Sequence, residues 1–217
     1  MGQFDLIVFD WDGTLLDSAG AIVACIQDAA RDLGLEPPPD HLARHVIGLG
    51  LSDALSAALP QLDPRDYPKL SERYRHHYLS RDHELALFSG AYELIEILHG
   101  AGRTLAVATG KSRRGLDRAL AGSGLGRFFS ATRCADECHS KPHPQMLLEI
   151  MEQIQIEPKR ALMIGDTTHD LQMARNAGVA ALAVSFGAHP KESLLAQQPL
   201  HCAGSIAELK QWISLNA

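Results

Sequence analysis

Residues Phe4-Asp5-Leu6-Ile7-Val8-Phe9 form an apolar run that stops at Asp10-Trp11-Asp12-Gly13-Thr14. A run of this kind reads as a strand buried on both faces, as in a parallel sheet. Two carboxylates one residue apart at its end make a poor packing solution. They repel unless a cation or a shared proton lies between them. Side chains alternate along a strand, so Asp10 and Asp12 can point the same way once the chain leaves it. The pair is read as the seed of a functional site.

The second half of the chain alternates strand and helix patterns. Strands are expected at Thr104–Gly110, Phe128–Thr132, Ala161–Asp166 and Val179–Phe186. Helices are expected at Gly90–His99, Ser112–Leu120, Pro144–Ile154 and Thr168–Asn176, and Ser205-Ile206-Ala207-Glu208 reads as a capping box opening a last helix. Such alternation predicts an α/β fold, a mostly parallel sheet with helices on both faces. Between Thr14 and Leu87 no strand pattern appears. Asp17-Ser18 reads as the N-cap of a helix over Ala19–Leu33, and Pro37-Pro38-Pro39 breaks the chain before helices at Asp40–Val46, Ser52–Leu59 and Pro64–Leu79. Tyr67, Leu70, Tyr74 and Tyr78 form a helical stripe, read as core rather than as a binding face. The expected organisation is a core of residues 1–17 and 87–217 with an all-helical insertion over 18–86.

A net charge of −6 without a basic stripe gives no reason to expect a nucleic-acid partner. No apolar run approaches the length of a membrane span. Met1-Gly2-Gln3 leads into the first strand without a leader pattern, so the expectation is a cytoplasmic enzyme with no obligate protein partner. Cys25, Cys134, Cys138 and Cys202 lack zinc-site spacing and are read as free thiols.

In open α/β sheets ligands collect beyond the carboxyl ends of the strands. Asp10 and Asp12, Thr109-Gly110-Lys111, and Asp166 with Asp170 all fall there, and Lys141 lies in a loop before a helix. Each has a plain reading alone: helix cap, turn or surface lysine. Their convergence on one sheet edge favours a site. Phosphoryl transfer is the chemistry they suit. Asp10 and Asp166, with the Asp12 carbonyl oxygen, offer hard ligands for Mg²⁺. Asp10 is the candidate nucleophile and Asp12 the candidate acid and base. Gly13, Thr109, Gly110, Lys111 and Lys141 are candidates to hold the phosphate oxygens, with Asp170 orienting Lys141 or metal-bound water.

Phe9-Asp10-Trp11-Asp12-Gly13-Thr14, Ala106-Val107-Ala108-Thr109-Gly110-Lys111-Ser112, Ser140-Lys141-Pro142-His143-Pro144 and Met163-Ile164-Gly165-Asp166-Thr167-Thr168-His169-Asp170 occur in that order. The set resembles the haloacid dehalogenase superfamily of phosphohydrolases. The resemblance implies a three-layer Rossmann-like core, a Mg²⁺ ion, the residue roles above, and a mobile helical cap over residues 18–86. The chain looks most like the phosphoglycolate phosphatase and β-phosphoglucomutase group. Asp12 is absent from true dehalogenases, and Lys69 is the one cap lysine, unlike the phosphonate-cleaving relatives. Ala21-Ile22-Val23 stands where the mutases carry a histidine. Trp11, in place of the usual Leu or Met, is expected to pack. Arg44-His45-Val46-Ile47-Gly48-Leu49-Gly50 resembles the loop that the cap lays over the site, where Arg44 either pairs a substrate anion or is a solvated helix residue. The implied activity is a Mg²⁺-dependent phosphatase acting on a small phosphorylated substrate, phosphoglycolate by first expectation. A phosphomutase, a broad phosphatase or pyrophosphatase, and a non-catalytic binding protein are the alternatives.

Overall fold

A computed structural model describes residues 3–216; Met1, Gly2 and Ala217, and with them the start of the Met1-Gly2-Gln3 lead-in, lie outside the described residues. The strands are β1 (Leu6–Phe9), β2 (Thr104–Thr109), β3 (Phe129–Cys134), β4 (Ala161–Gly165), β5 (Ala180–Val184) and β6 (Cys202–Ala203). They form one sheet in the order β3-β2-β1-β4-β5-β6, and every pairing is parallel. This is the doubly wound order, in which the strand order reverses beside β1 and opens a crevice at the carboxyl edge. Phe9 is level with Val107 and with Ile164, so β1, β2 and β4 release their chains at the same edge.

The helices are α1 (Ala19–Asp32), α2 (Asp40–His45), α3 (Leu51–Ala58), α4 (Tyr67–Arg81), α5 (Ala91–Gly100), α6 (Arg113–Ser123), α7 (Gln145–Ile154), α8 (Thr168–Asn176), α9 (Lys191–Leu195) and α10 (Ile206–Asn216). Strand alternation sorts the apolar residues between two layers. Ile7 and Phe9, with Leu105, Val107 and Ile164, pack against Leu94 and Leu98 of α5 and Leu209 of α10. Leu6 and Val8, with Ala106 and Met163, pack against Met146 and Ile150 of α7 and Met173 of α8. Trp11 joins the first layer, fully enclosed and edge-on to Phe129, so it packs as expected.

Helices α1 to α4 share an apolar cluster of their own, built from Val23, Ile26, Leu55, Leu59 and Leu70 among others. Two chain segments join it to the sheet layer, and they pair with each other. Leu16 and Leu87 bridge antiparallel, and Asp17 N–H donates to the Ala86 carbonyl at 2.9 Å while Phe88 N–H donates to the Leu15 carbonyl at 2.9 Å.

Several local expectations are corrected. Strand β6 and helix α9 have too few residues to show a period. Ser18 precedes α1 but makes no capping bond; its hydroxyl donates to Asp12 Oδ1 at 2.7 Å. The box at the last helix is half formed: Glu208 N–H reaches Ser205 Oγ at 3.2 Å, while the Glu208 carboxylate accepts from Gly204 N–H at 2.7 Å. A complete box stands at α8, between Thr167 and Asp170.

Candidate active site

Asp10 follows β1 directly and is 1% exposed. Its Oδ1 accepts from Trp11 N–H at 2.7 Å and meets Lys141 Nζ at 2.8 Å. Its Oδ2 is buried with no hydrogen-bond partner among the described residues. A buried carboxylate oxygen left in this way costs free energy unless a ligand engages it. Lys141 Nζ also meets Asp170 Oδ1 at 2.7 Å, and Asp170 Oδ2 accepts from Thr167 N–H at 3.0 Å and from the Thr167 hydroxyl at 2.6 Å. Asp170 is therefore fixed by the cap of its own helix and fixes Lys141 in turn. Asp166, at the end of β4, accepts from the Thr14 hydroxyl on Oδ1 at 2.8 Å and from Ala188 N–H on Oδ2 at 2.8 Å.

Between them, Asp10, Asp166 and Asp170 bring oxygens within 4.8 Å of one another. Three carboxylates face one ammonium, and the surplus negative charge is enclosed. Burial pushes the Asp10 carboxyl well above its ordinary pKa even against the pull of Lys141, with Asp170 and Asp166 adding to the rise. Burial likewise raises Asp166 to about 7, reinforced by Asp170. For Lys141 burial opposes the charge, but Asp10 and Asp170 outweigh it and hold its pKa above the usual lysine range. A divalent cation on these hard oxygens would remove the surplus.

Asp12 is turned elsewhere. Its Oδ1 accepts from Ser18 and from Lys111 Nζ at 2.9 Å, and Lys111 Nζ also donates to the Tyr78 hydroxyl oxygen at 2.7 Å. Its carboxylate is thus outside the acidic cluster, and its expected metal contact rests on the carbonyl oxygen alone. Gly13 turns the chain with φ +77°, and a Cβ there would strike the Asp166 carboxylate. Thr109 Oγ1 accepts from Lys111 N–H at 3.2 Å, which leaves its hydroxyl proton to give away.

A cavity of about 620 Å³ opens above these groups. Asp10, Asp12, Thr109, Gly110 and Lys111 line its sheet end, and residues of α1, α3 and α4 line its far end. Gly13, Lys141 and Arg44 are not on its wall. Lys141 is drawn between two carboxylates instead; Arg44 lies in α2 off the wall, and the arginines on the wall are Arg75, Arg114 and Arg118. Tyr74 and Tyr78, read from the sequence as core, do join the apolar cluster of α1 to α4, and both also reach the cavity.

The helical segment is seated on the sheet layer at several points. Gly50 N–H donates to Ser140 Oγ at 2.8 Å. Gly110 lies so close to the 48–49 backbone that a Cβ there would strike the Leu49 carbonyl oxygen and come within 2.6 Å of that of Gly48. His169 Nε2–H and His189 Nε2–H both donate to the His45 carbonyl, at 2.7 and 3.1 Å. His189 Nδ1 accepts from Thr168 N–H at 3.1 Å, so the ring is neutral. Burial holds His189 down at about 4, with His169 adding to the shift. Sequence reasoning missed Ser18 and Thr14 as partners of the carboxylates, Tyr78 as the partner of Lys111, and His189 altogether.

The family described as haloacid dehalogenase-like hydrolase matches residues 7–184. The chain is 36% identical over 210 residues to a protein of Dickeya dadantii (strain 3937) named as a probable phosphatase, IndB, across 94% of this chain and 91% of that one. It is 31% identical over 224 residues to the phosphoglycolate phosphatase of Vibrio vulnificus (strain YJ016), across 99% and 98%. A crystal structure described as a predicted phosphoglycolate phosphatase from Haemophilus somnus 129pt superposes with a TM-score of 0.86 at 26% identity, covering 98% of this chain and 99% of that one.

Proposed function

The chain belongs to the haloacid dehalogenase-like hydrolase family and is one of its phosphatases, and we propose on that footing that it hydrolyses a phosphate monoester with Mg²⁺ through an aspartyl-phosphate on Asp10. The observation that carries this reading is the state of Asp10. One oxygen is pinned by Trp11 N–H and Lys141, and the other is buried, unpartnered and at the cavity floor beside Asp12. A carboxylate held on one side only is oriented for attack with its free oxygen.

Asp10, Asp166 and the Asp12 carbonyl would hold the Mg²⁺, with Asp170 beside them. Bound there, it would keep Asp10 ionised and neutralise charge on the phosphoryl oxygens. Asp10 attacks phosphorus as the ester P–O bond breaks, and Asp12 gives its proton to the departing oxygen. Water then attacks the phosphorus of the intermediate and passes a proton back to Asp12. That step frees inorganic phosphate and restores Asp10. Lys111, bonded to Asp12 and to Tyr78, holds the acid in place, and Thr109 Oγ–H with the backbone N–H groups of Gly110 and Lys111 receives the phosphoryl oxygens. Lys141, fixed by Asp170, positions Asp10. The helical segment over 18–86 serves as a cap that swings on the paired 15–17 and 86–88 segments and excludes water when seated. Ala21-Ile22-Val23 stands where the mutases carry a histidine, and Ile22 of that triplet lines the cavity with a hydrocarbon, which supports hydrolysis over phosphate return. No described helix is long and apolar enough to cross a membrane, in keeping with the reading of a cytoplasmic enzyme. Phosphoglycolate, the ester in the name of the Vibrio relative, is the reference substrate.

The test is phosphate release with Mg²⁺ and with EDTA, for the native protein and Asp10→Asn. The native protein should form an acid-stable phosphate adduct on the peptide carrying Asp10, and the variant should neither form it nor turn over. Full turnover by Asp10→Asn removes Asp10 as nucleophile.

A further inference from the structure

The reacting groups occupy one end of the cavity. The rest of its volume is walled by Ile22 and Ile26 of α1, by Leu49, by Leu51 and Ala54 of α3, and by Tyr74 of α4. The volume is that of the seated arrangement, because Gly50 is bonded to Ser140 and His169 to the His45 carbonyl. Cavities of about 300–1,000 Å³ suit ligands of drug size. A phosphoryl group with a two-carbon acid would leave most of this one filled with water against hydrocarbon, which gains nothing from burial.

Charge points the same way. A short substrate acid needs a cation inside the cavity, and the cations on the wall are Lys111, Arg75, Arg114 and Arg118. Lys111 is already committed to Asp12 and Tyr78. The three arginines are exposed, where water screens them, and Arg118 is paired with Asp82 at 2.9 Å. A neutral polar group is also available on the wall. The Tyr74 hydroxyl has no hydrogen-bond partner among the described residues, and burial raises its pKa so that it keeps its proton. Its ring stacks on Tyr78, beside the Lys111–Asp12 pair, and its neutral donor suits an uncharged acceptor such as a carbonyl or ring nitrogen.

We infer that the alcohol half of the substrate is a ring-bearing body of about nucleoside size, which lays an apolar face on α1 and α3 and offers a neutral acceptor to Tyr74. This rests on the phosphatase reading above. It assigns Tyr74 and Ala54 as specificity positions and makes a two-carbon ester a poor fit.

The experiment measures kcat/KM for Mg²⁺-dependent phosphate release from AMP, UMP and 2-phosphoglycolate, with acetyl phosphate as a size-independent control. The nucleoside esters should exceed phosphoglycolate by at least about tenfold, the effect of roughly 1.4 kcal/mol of binding. Tyr74→Phe should raise KM for the nucleoside esters several-fold and leave kcat in place. Ala54→Phe, checked for folding by circular dichroism, should reduce the nucleoside-to-phosphoglycolate ratio about tenfold by filling the far end. Phosphoglycolate turned over as well as or better than the nucleoside esters overturns the inference and leaves the phosphatase reading intact. So does a Tyr74→Phe variant with unchanged KM values. No release from any of these four compounds, acetyl phosphate included, overturns both.

Discussion

Replacing Lys141 by Met keeps the length of the stem and deletes the one ammonium that faces three buried carboxylates. Nζ sits 2.8 Å from Asp10 and 2.7 Å from Asp170, and all three side chains are essentially sealed from water. Breaking a buried pair by removing one partner costs about 3–5 kcal/mol, because the remaining charge is left uncompensated. A chain of this size loses roughly 2–4 °C of Tm per kcal/mol, so Lys141→Met should melt about 6–20 °C below the native protein in EDTA at pH 8. Two further readouts separate this cause from lost packing. Carboxylates whose folded pKa lies above the unfolded value of about 3.9 are protonated on acidification in the folded state first. The penalty is therefore full above the folded pKa and fades as pH falls toward the unfolded one. Asp10 and Asp166 are both raised in this way, and the deficit should shrink between pH 8 and pH 5. Added Mg²⁺ should also raise Tm more in Lys141→Met than in the native protein, since it supplies the missing positive charge. Differential scanning fluorimetry across pH and Mg²⁺ gives all three numbers. A Tm within about 2 °C of native at pH 8, or a deficit that grows on acidification, refutes the account of the cluster.

Gly110→Ala forces a methyl against the Leu49 and Gly48 carbonyls, so it should unseat the helical segment and speed limited proteolysis around Phe88; in the native protein that cleavage should slow when Mg²⁺ and a phosphate mimic are added. Equal cleavage rates in variant and native protein would remove Gly110 as the seat of the loop. His189 carries the pH dependence of the same contact. Its folded pKa of about 4 lies below the unfolded value of about 6.5, so its neutral form stabilises the fold above that range and the benefit is lost as pH falls from about 6.5 to 4. The full span is on the order of 3 kcal/mol. Denaturant titrations at pH 7 and pH 4.5 should show a smaller loss in His189→Gln than in the native protein, and parallel losses would sink the assignment.

Much of the site was legible because its carriers are strands buried on every side. An apolar run such as Leu6–Phe9 can only sit in the middle of a sheet, and the polar residue that ends it must then surface at the sheet edge. Asp10, Thr109 and Asp166 were found in this way. What stayed hidden lay in contacts between segments remote in sequence. Helical periodicity correctly gave the inward face of α4 and the core packing of Tyr74 and Tyr78, yet it does not say that the same face also borders a cavity. Ser18 looked like a cap because its type and position fit one, while a carboxylate six residues back offered a stronger acceptor. For Lys141 the motifs give Asp170 as an orienting partner; that Lys141 is sealed between Asp10 and Asp170, off the cavity wall, depends on how α8 orients its first turn. For Arg44 the loop motif leaves both a substrate anion and solvent open as partners, while its neighbours His45 and Gly48–Gly50 make the contacts to the sheet layer.

The receiving half of the histidine contact is a peptide carbonyl. His169 and His189 aim their N–H groups at the backbone oxygen of residue 45, and every amino acid supplies that oxygen. The arrangement is encoded on one side only. Position 45 is free to change its side chain at the cost of ring stacking alone, whereas 169 and 189 each have to keep a ring that presents an N–H to it. Each of those donors borders a residue that steadies a carboxylate: His169 precedes Asp170, and His189 follows Ala188, whose N–H holds Asp166. Laying down the helical segment therefore braces two of the three acidic side chains through their neighbours, and a comparison of side chains at position 45 among relatives would carry no trace of it.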